Sequence, residues 1–100
     1  GRKISPSLIE EKLLALPGVR HCVVFGIPSA DPARVEEIAA CLNLSGNTRL
    51  SGIQQASARF LPATEQPRHW RVCPDLEPDA RGKISRAVWR EWWDRGDHDP

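Results

Sequence analysis

The run Cys22-Val23-Val24-Phe25, set within Val19 to Ile27, limits the possible folds of this chain more than any other segment. It is β-branched and aromatic, too short for a helix, and closed by Gly26 and Pro28, which makes it a strand. Its apolar residues are continuous rather than alternating, so both faces of that strand need cover. A second apolar run, Val35 to Leu44, follows a loop over Ser29 to Arg34 and stops at Ser45-Gly46-Asn47, a turn signal. The two runs are expected to pair as antiparallel neighbours.

The cover has to come from the remainder of a 100-residue chain, a length that suits one domain with a modest core. Ser5-Pro6 places a capping residue before a proline at the first helical position, and Ile9, Leu13 and Leu16, with Leu8 and Leu14 beside them, follow at helical spacing. Glu10, Glu11 and Lys12 would face out, and Pro17-Gly18 ends the helix, predicted over Pro6 to Leu16. Thr48 is placed to cap a second helix with Leu50, Ile53, Ala56 or Ser57, and Phe60-Leu61 inside, weakened by Gly52 and stopped by Pro62. Trp70-Arg71-Val72 is a third strand candidate, and Pro74 to Gly82 is too rich in Pro, Asp and Gly to be regular. Ile84, Val88 and Trp92 then define the inner stripe of a last helix, widened by Ala87, Trp89 and Trp93 and finished by Gly96. The expected fold class is α+β: a small, mostly antiparallel sheet of about three strands covered by about three helices.

Several chemistries find no support. Lys and Arg total 14 against 13 Asp and Glu, so the charge of +1 does not call for nucleic acid or an anionic membrane, and any anion binding must be local. Cys22, Cys41 and Cys73 are far apart, lie in apolar runs and have no histidine at zinc-ligand spacing, so they are expected to be reduced and buried, with no metal centre. There is no apolar run near the roughly 20 residues that span a bilayer and no charged-then-apolar leader, hence a cytoplasmic expectation. Neither GxxxxGK[ST], GxGxxG, GxSxG nor HExxH occurs. His21, His69 and His98 are scattered, and Trp89, Trp92 and Trp93 are better explained as core or interface than as a base-stacking platform.

One stretch, Pro78 to Arg86, remains. Lys83 follows Gly82, which adds no Cβ between backbone and ligand, and a lysine ammonium is a compact charge suited to a phosphate oxygen. Arg81 and Arg86 reinforce the field. Spacing alone favours an ordinary solvated lysine, because a cation near the positive end of a helix is mildly unfavourable.

Read together, G-x-K-I-S-P-x-x-I-E at Gly1 to Glu10, P-G-V at Pro17 to Val19, V-x-G-x-P at Val24 to Pro28 and G-K-I-x-R at Gly82 to Arg86 change that weighing. In this order they resemble the C-terminal domain of the AMP-forming adenylating enzymes: acyl- and aryl-CoA synthetases, peptide-synthetase adenylation domains and luciferases. The resemblance implies a mobile lid over residues 1–96, with 97–100 as a tail, working on a large N-terminal domain that is absent here. It implies a ligase in which a carboxylic acid reacts with ATP and Mg2+ to give an acyl-adenylate, which CoA or the pantetheine of an acyl carrier protein then takes as a thioester. By the G-K-I-x-R match Lys83 is the adenylation lysine, with Gly82 and Arg86 as substrate-binding neighbours. The loop at Gly1, Arg2 and Lys3 would approach the tunnel for the thiol.

The same resemblance implies that the fragment alone has no ligase activity and holds no cofactor. The chain departs from the family where Leu-Pro-x-Thr is usual, having Leu76-Glu77-Pro78-Asp79, and the family's hinge residue would lie just before Gly1. An acyl or aryl acid is expected rather than an amino acid, since no carrier-protein segment follows Asp97 to Pro100. The competing readings are a standalone module binding phosphate or nucleic acid through Arg81, Lys83, Arg86 and Arg90, and an interaction domain using the Trp-rich helix.

Overall fold

The computed structural model describes residues 5–29 and 36–95. The element order is α1 (Pro6–Leu14), β1 (Val19–Pro28), β2 (Glu36–Leu44), α2 (Leu50–Phe60), a short 3-10 turn (Ala63–Glu65), β3 (His69–Val72) and α3 (Arg86–Arg95). The sheet has the order β1-β2-β3. The β1–β2 pairing is antiparallel from Val19 opposite Leu44 to Pro28 opposite Glu36, with a bulge between Val19 and His21, and β3 adds four residues parallel to β2. The expected α+β class and mostly antiparallel sheet are therefore found.

The continuous apolar run of β1 is divided between two layers. Cys22 and Val24 face α1 and α2 with Ile38, Ala40 and Leu42 of β2, where they meet Ile9, Leu13, Ile53 and Leu61. Val23, Phe25 and Ile27 face the other way with Ala39 and Cys41, under Cys73, Leu76 and the partly buried Ile84, Trp89, Trp92 and Trp93. Side chains alternate across a strand, so a strand covered on both faces is apolar at successive positions. Ala39 and Ala40, opposite Phe25 and Val24, are fully buried. Their small side chains on the central strand leave room for the helices and indoles that close over it. Each fully buried aliphatic side chain such as Ile9 or Leu13 contributes about 1.5–3 kcal/mol.

Five sequence expectations need correction. Helix α1 ends at Leu14 rather than Leu16, the chain turning out through the hydrogen bond of Leu16 N to Leu13 O. Glu10 is half-buried and reaches the edge of β1 instead of facing water. Thr48 does not cap α2: its Oγ1 lies 2.7 Å from Ser45 Oγ and its N–H closes the Ser45–Thr48 turn, so the helix begins a residue later, with Arg49 at the N-cap. The inner side of α2 is Ile53 and Ser57, while Phe60 is exposed. In α3 the stripe through Val88 is wrong, because Val88 is 61% exposed. The helix starts only at Arg86, which leaves Ile84 to pack from the preceding loop and centres the buried face on Trp89, Trp92 and Trp93, at i, i+3 and i+4. Val35 and most of the 29–34 loop lie outside the described residues.

Candidate functional site

The segment carrying Lys83 is anchored to the sheet before it leaves it. Cys73 N–H donates to Leu42 O at 2.7 Å, extending the β2–β3 pairing by one bond. Asn43, a buried polar residue of β2, donates from Nδ2 to Leu76 O at 3.0 Å and Pro74 O at 3.4 Å. A buried amide without partners is costly, and here its donors hold two carbonyls of a loop that has no ladder of its own. Leu76, fully buried, inserts into the second core layer and fixes the loop's depth.

Beyond Leu76 the chain is exposed and holds itself by a turn. Gly82 N–H donates to Asp79 O at 2.8 Å and Asp79 N–H to Lys83 O at 2.8 Å, while Asp79 Oδ1 accepts from Arg81 N at 2.9 Å and Lys83 N at 3.0 Å. Gly82 has φ +81°, the left-handed conformation that closes a three-residue hairpin loop after a type I turn. Asp at the first position and Gly at the fourth suit that turn, so the departure at Leu76-Glu77-Pro78-Asp79 supplies the residue that locks the loop. Asp79 was not among the candidate residues, although the Asp-x-x-Gly spacing was there to be seen.

Lys83 sits on this turn with its side chain in solvent, and among the described residues no carboxylate pairs with its ammonium. Arg81 is 3.7 Å from Asp79 Oδ2. Arg86 is occupied: its Nη2 donates to Glu10 Oε1 at 2.9 Å and its Nε to Val24 O at 2.8 Å, while Glu10 Oε2 accepts from Val24 N at 2.7 Å. β1 is an edge strand, and Val24 turns both backbone polar groups outward there. The carboxylate takes the N–H and the guanidinium takes the C=O, doing for this residue what a neighbouring strand would do. The pair thereby joins α1, β1 and the first residue of α3, three residues after Lys83. Ser85 completes the approach, its Oγ accepting from Val88 N at 3.2 Å as the cap of α3. Glu10, Asn43 and Ser85 are positioning residues that sequence reasoning did not single out. Gly1, Arg2 and Lys3 lie outside the described residues.

With this geometry, the comparisons with known proteins carry a family assignment. No family model matches the chain. A CoA ligase of Gibberella moniliformis is 32% identical over 90 residues, 86% of this chain and 15% of that protein. A sulfoacetate–CoA ligase of Cupriavidus necator is 31% identical over 88 residues, 86% of this chain and 17% of that protein. Among solved structures, a fatty acyl-CoA synthetase of Mycobacterium tuberculosis superposes with TM-score 0.81 at 25% identity, over 96% of this chain and 19% of that one. The chain belongs to the AMP-forming adenylating enzymes. It spans 15–18% of the length of the curated relatives it matches, so this adenylating-enzyme chain corresponds to one small part of them. Among the described residues no helix is long and apolar enough to cross a membrane.

Proposed function

We propose that residues 1–96 are the C-terminal lid of an AMP-forming acid–thiol ligase and that Lys83 is its adenylation lysine. The observation that carries this reading is an ammonium with which no carboxylate of the described residues pairs, held outward on a turn whose own hydrogen bonds are complete. In the reaction, a carboxylate oxygen attacks the α-phosphorus of ATP and pyrophosphate leaves, and a thiol then attacks the acyl carbonyl and AMP leaves. Lys83 would lie between the carboxylate and phosphate oxygens as negative charge gathers there, supplying electrostatic stabilisation rather than a proton. A lysine serves this because its charge is compact and, on this turn, exchanges only water for the reacting oxygens.

Magnesium, ATP and the acid are assigned to the N-terminal domain, as the family resemblance implies. The thiol acceptor is CoA or a carrier-protein pantetheine, and an acyl or aryl acid is the substrate class. The related CoA ligases support a CoA acceptor. The standalone anion-binding module is the weaker reading, because Arg81 and Arg86, two of its four cations, are engaged by Asp79 and Glu10.

The test joins this chain to its upstream several hundred residues and measures carboxylate-dependent ATP–pyrophosphate exchange. Lys83→Ala should lower the exchange on the order of 10²-fold or more, the usual loss of one preorganised charge, while thermal unfolding stays unchanged. Normal exchange in a folded Lys83→Ala enzyme would remove the lysine from the mechanism. The 100-residue chain by itself should show no exchange.

A further inference from the structure

We propose that Asp79 is the positioning residue of Lys83: it fixes the direction in which the lysine side chain leaves the backbone, and so its reach toward the reacting oxygens. This rests on the reading of Lys83 as the adenylation lysine of a lid and concerns how that site works. Asp79 acts at a distance from the ammonium. Its carboxylate is taken up by Arg81 and by backbone N–H groups of the turn.

Both backbone polar groups of Lys83 end on this one residue. Lys83 N–H donates to Asp79 Oδ1 at 3.0 Å, and Lys83 O accepts from Asp79 N at 2.8 Å. A residue has two soft dihedrals, each of which turns one of the peptide planes flanking its Cα. The first bond holds the plane between Gly82 and Lys83, and the second holds the plane between Lys83 and Ile84. With both planes held, the Cα–Cβ bond of Lys83 points one way, and only the four-carbon stem is left to move.

Core packing does not supply this hold. Gly82 and Lys83 are exposed, and a Cβ on Gly82 would meet no heavy atom within 4 Å. A glycine immediately before the lysine gives the turn its least restricted backbone. Asp79 Oδ1 spans that glycine, accepting from Arg81 N at 2.9 Å on one side and from Lys83 N on the other. Upstream, the buried Leu76 ties the start of the loop to the sheet, so the turn is rooted at its near end and closed by Asp79 at its far one.

The role belongs to the acceptor oxygen rather than to the charge. The N–H groups of Arg81 and Lys83 need one oxygen at this place, which an asparagine Oδ1 also offers. A negative charge is itself unhelpful beside a cation meant for phosphate oxygens, and Arg81 Nη2, 3.7 Å from Asp79 Oδ2, offsets part of it.

The enzyme to test is the chain joined to its upstream residues, with whichever of acetate, octanoate and benzoate it activates best. Asp79→Ala removes both Oδ1 bonds and leaves the two backbone bonds. The kcat of ATP–pyrophosphate exchange should fall about 10-fold, within the 10²-fold that a misplacement of about 1 Å can cost. The KM for ATP should hold. Thioester formation from preformed acyl-adenylate and CoA, a step without Lys83 in this reading, should be unchanged, as should thermal unfolding. Asp79→Asn should recover most of the pyrophosphate-exchange rate. A readout without substrate is amide hydrogen exchange, in which Lys83 N–H should be faster in Asp79→Ala than in Asp79→Asn. Normal pyrophosphate exchange in Asp79→Ala beside an impaired Lys83→Ala overturns the proposal. An equal loss in both half-reactions, or an Asp79→Asn enzyme as slow as Asp79→Ala, does the same. Normal pyrophosphate exchange in Lys83→Ala instead removes the lysine itself, and with it the reading on which Asp79 depends, so the two failures are told apart.

Discussion

Gly82 and Gly18 both stand at positive φ, +81° and +94°, yet their surroundings separate backbone strain from packing. A Cβ on Gly82 would meet no heavy atom within 4 Å, whereas one on Gly18 would overlap the Thr48 side chain. Gly82→Ala should therefore cost about 1–2 kcal/mol, the strain of a left-handed alanine. Gly18→Ala adds overpacking of about 1–3 kcal/mol to the same strain. Urea unfolding of the two variants measures the difference, and equal losses would refute the packing account. Asp79 shows how far residue types can be read in advance. Its place in a turn signal was visible, but its two backbone bonds to Arg81 and Lys83 depended on the fold of the loop.

At the scale of elements, the Glu10–Arg86 pair decides where α3 begins relative to α1 and β1. Arg86→Ala would leave Glu10 Oε1 and Val24 O without their partner. Because the Arg86 side chain is 39% exposed, water replaces part of the loss, and a cost of about 1–3 kcal/mol is expected. Hydrogen exchange should speed up in the first turn of α3 more than in α2. Arg86→Lys should recover only part of the loss, since an ammonium cannot bridge Glu10 and Val24 O as the planar fork does. A double-mutant cycle of Glu10→Gln with Arg86→Gln should be less than additive, and full additivity would show that the two groups do not act together. The pairing of a helix-1 glutamate with a helix-3 arginine, 76 positions apart, leaves no trace in local spacing. For the same reason α3 was given the wrong stripe: periodicity shows an apolar face but not the residue at which the helix begins.

For the molecule as a whole, acid stability turns on the link between the central strand, the third strand and the last helix. Glu37 of β2 bonds His69 of β3 at 2.7 Å and accepts from Ser29 Oγ at 3.1 Å, and the imidazole packs edge-on against Trp93, 6.2 Å between centroids. The hydrogen bond from His69 holds the Glu37 carboxyl below the usual range, and Ser29 and the charge of Arg68 act in the same direction. A lowered folded value means the unfolded chain binds the proton more readily. The contribution is thus complete above the ordinary carboxylate value and disappears as pH falls through the folded one. Glu37→Gln should flatten the acid limb of stability below about pH 4.3 while leaving it at neutral pH less changed. An acid midpoint unmoved by Glu37→Gln would show that this link is not part of the global unfolding.

The sequence by itself determined the element order, the doubly covered strand and, through four short motifs, the resemblance to adenylating enzymes. These are local properties: β-branched runs, proline and glycine stops, and residue types at fixed offsets. Only the tertiary structure decided that β3 joins β2 in parallel, that Asn43 anchors the loop, and that Arg86 is bound while Lys83 is left outward. Each of these depends on groups far apart in the chain meeting across a sheet, and a one-dimensional pattern does not specify which long-range partner a buried polar atom will find.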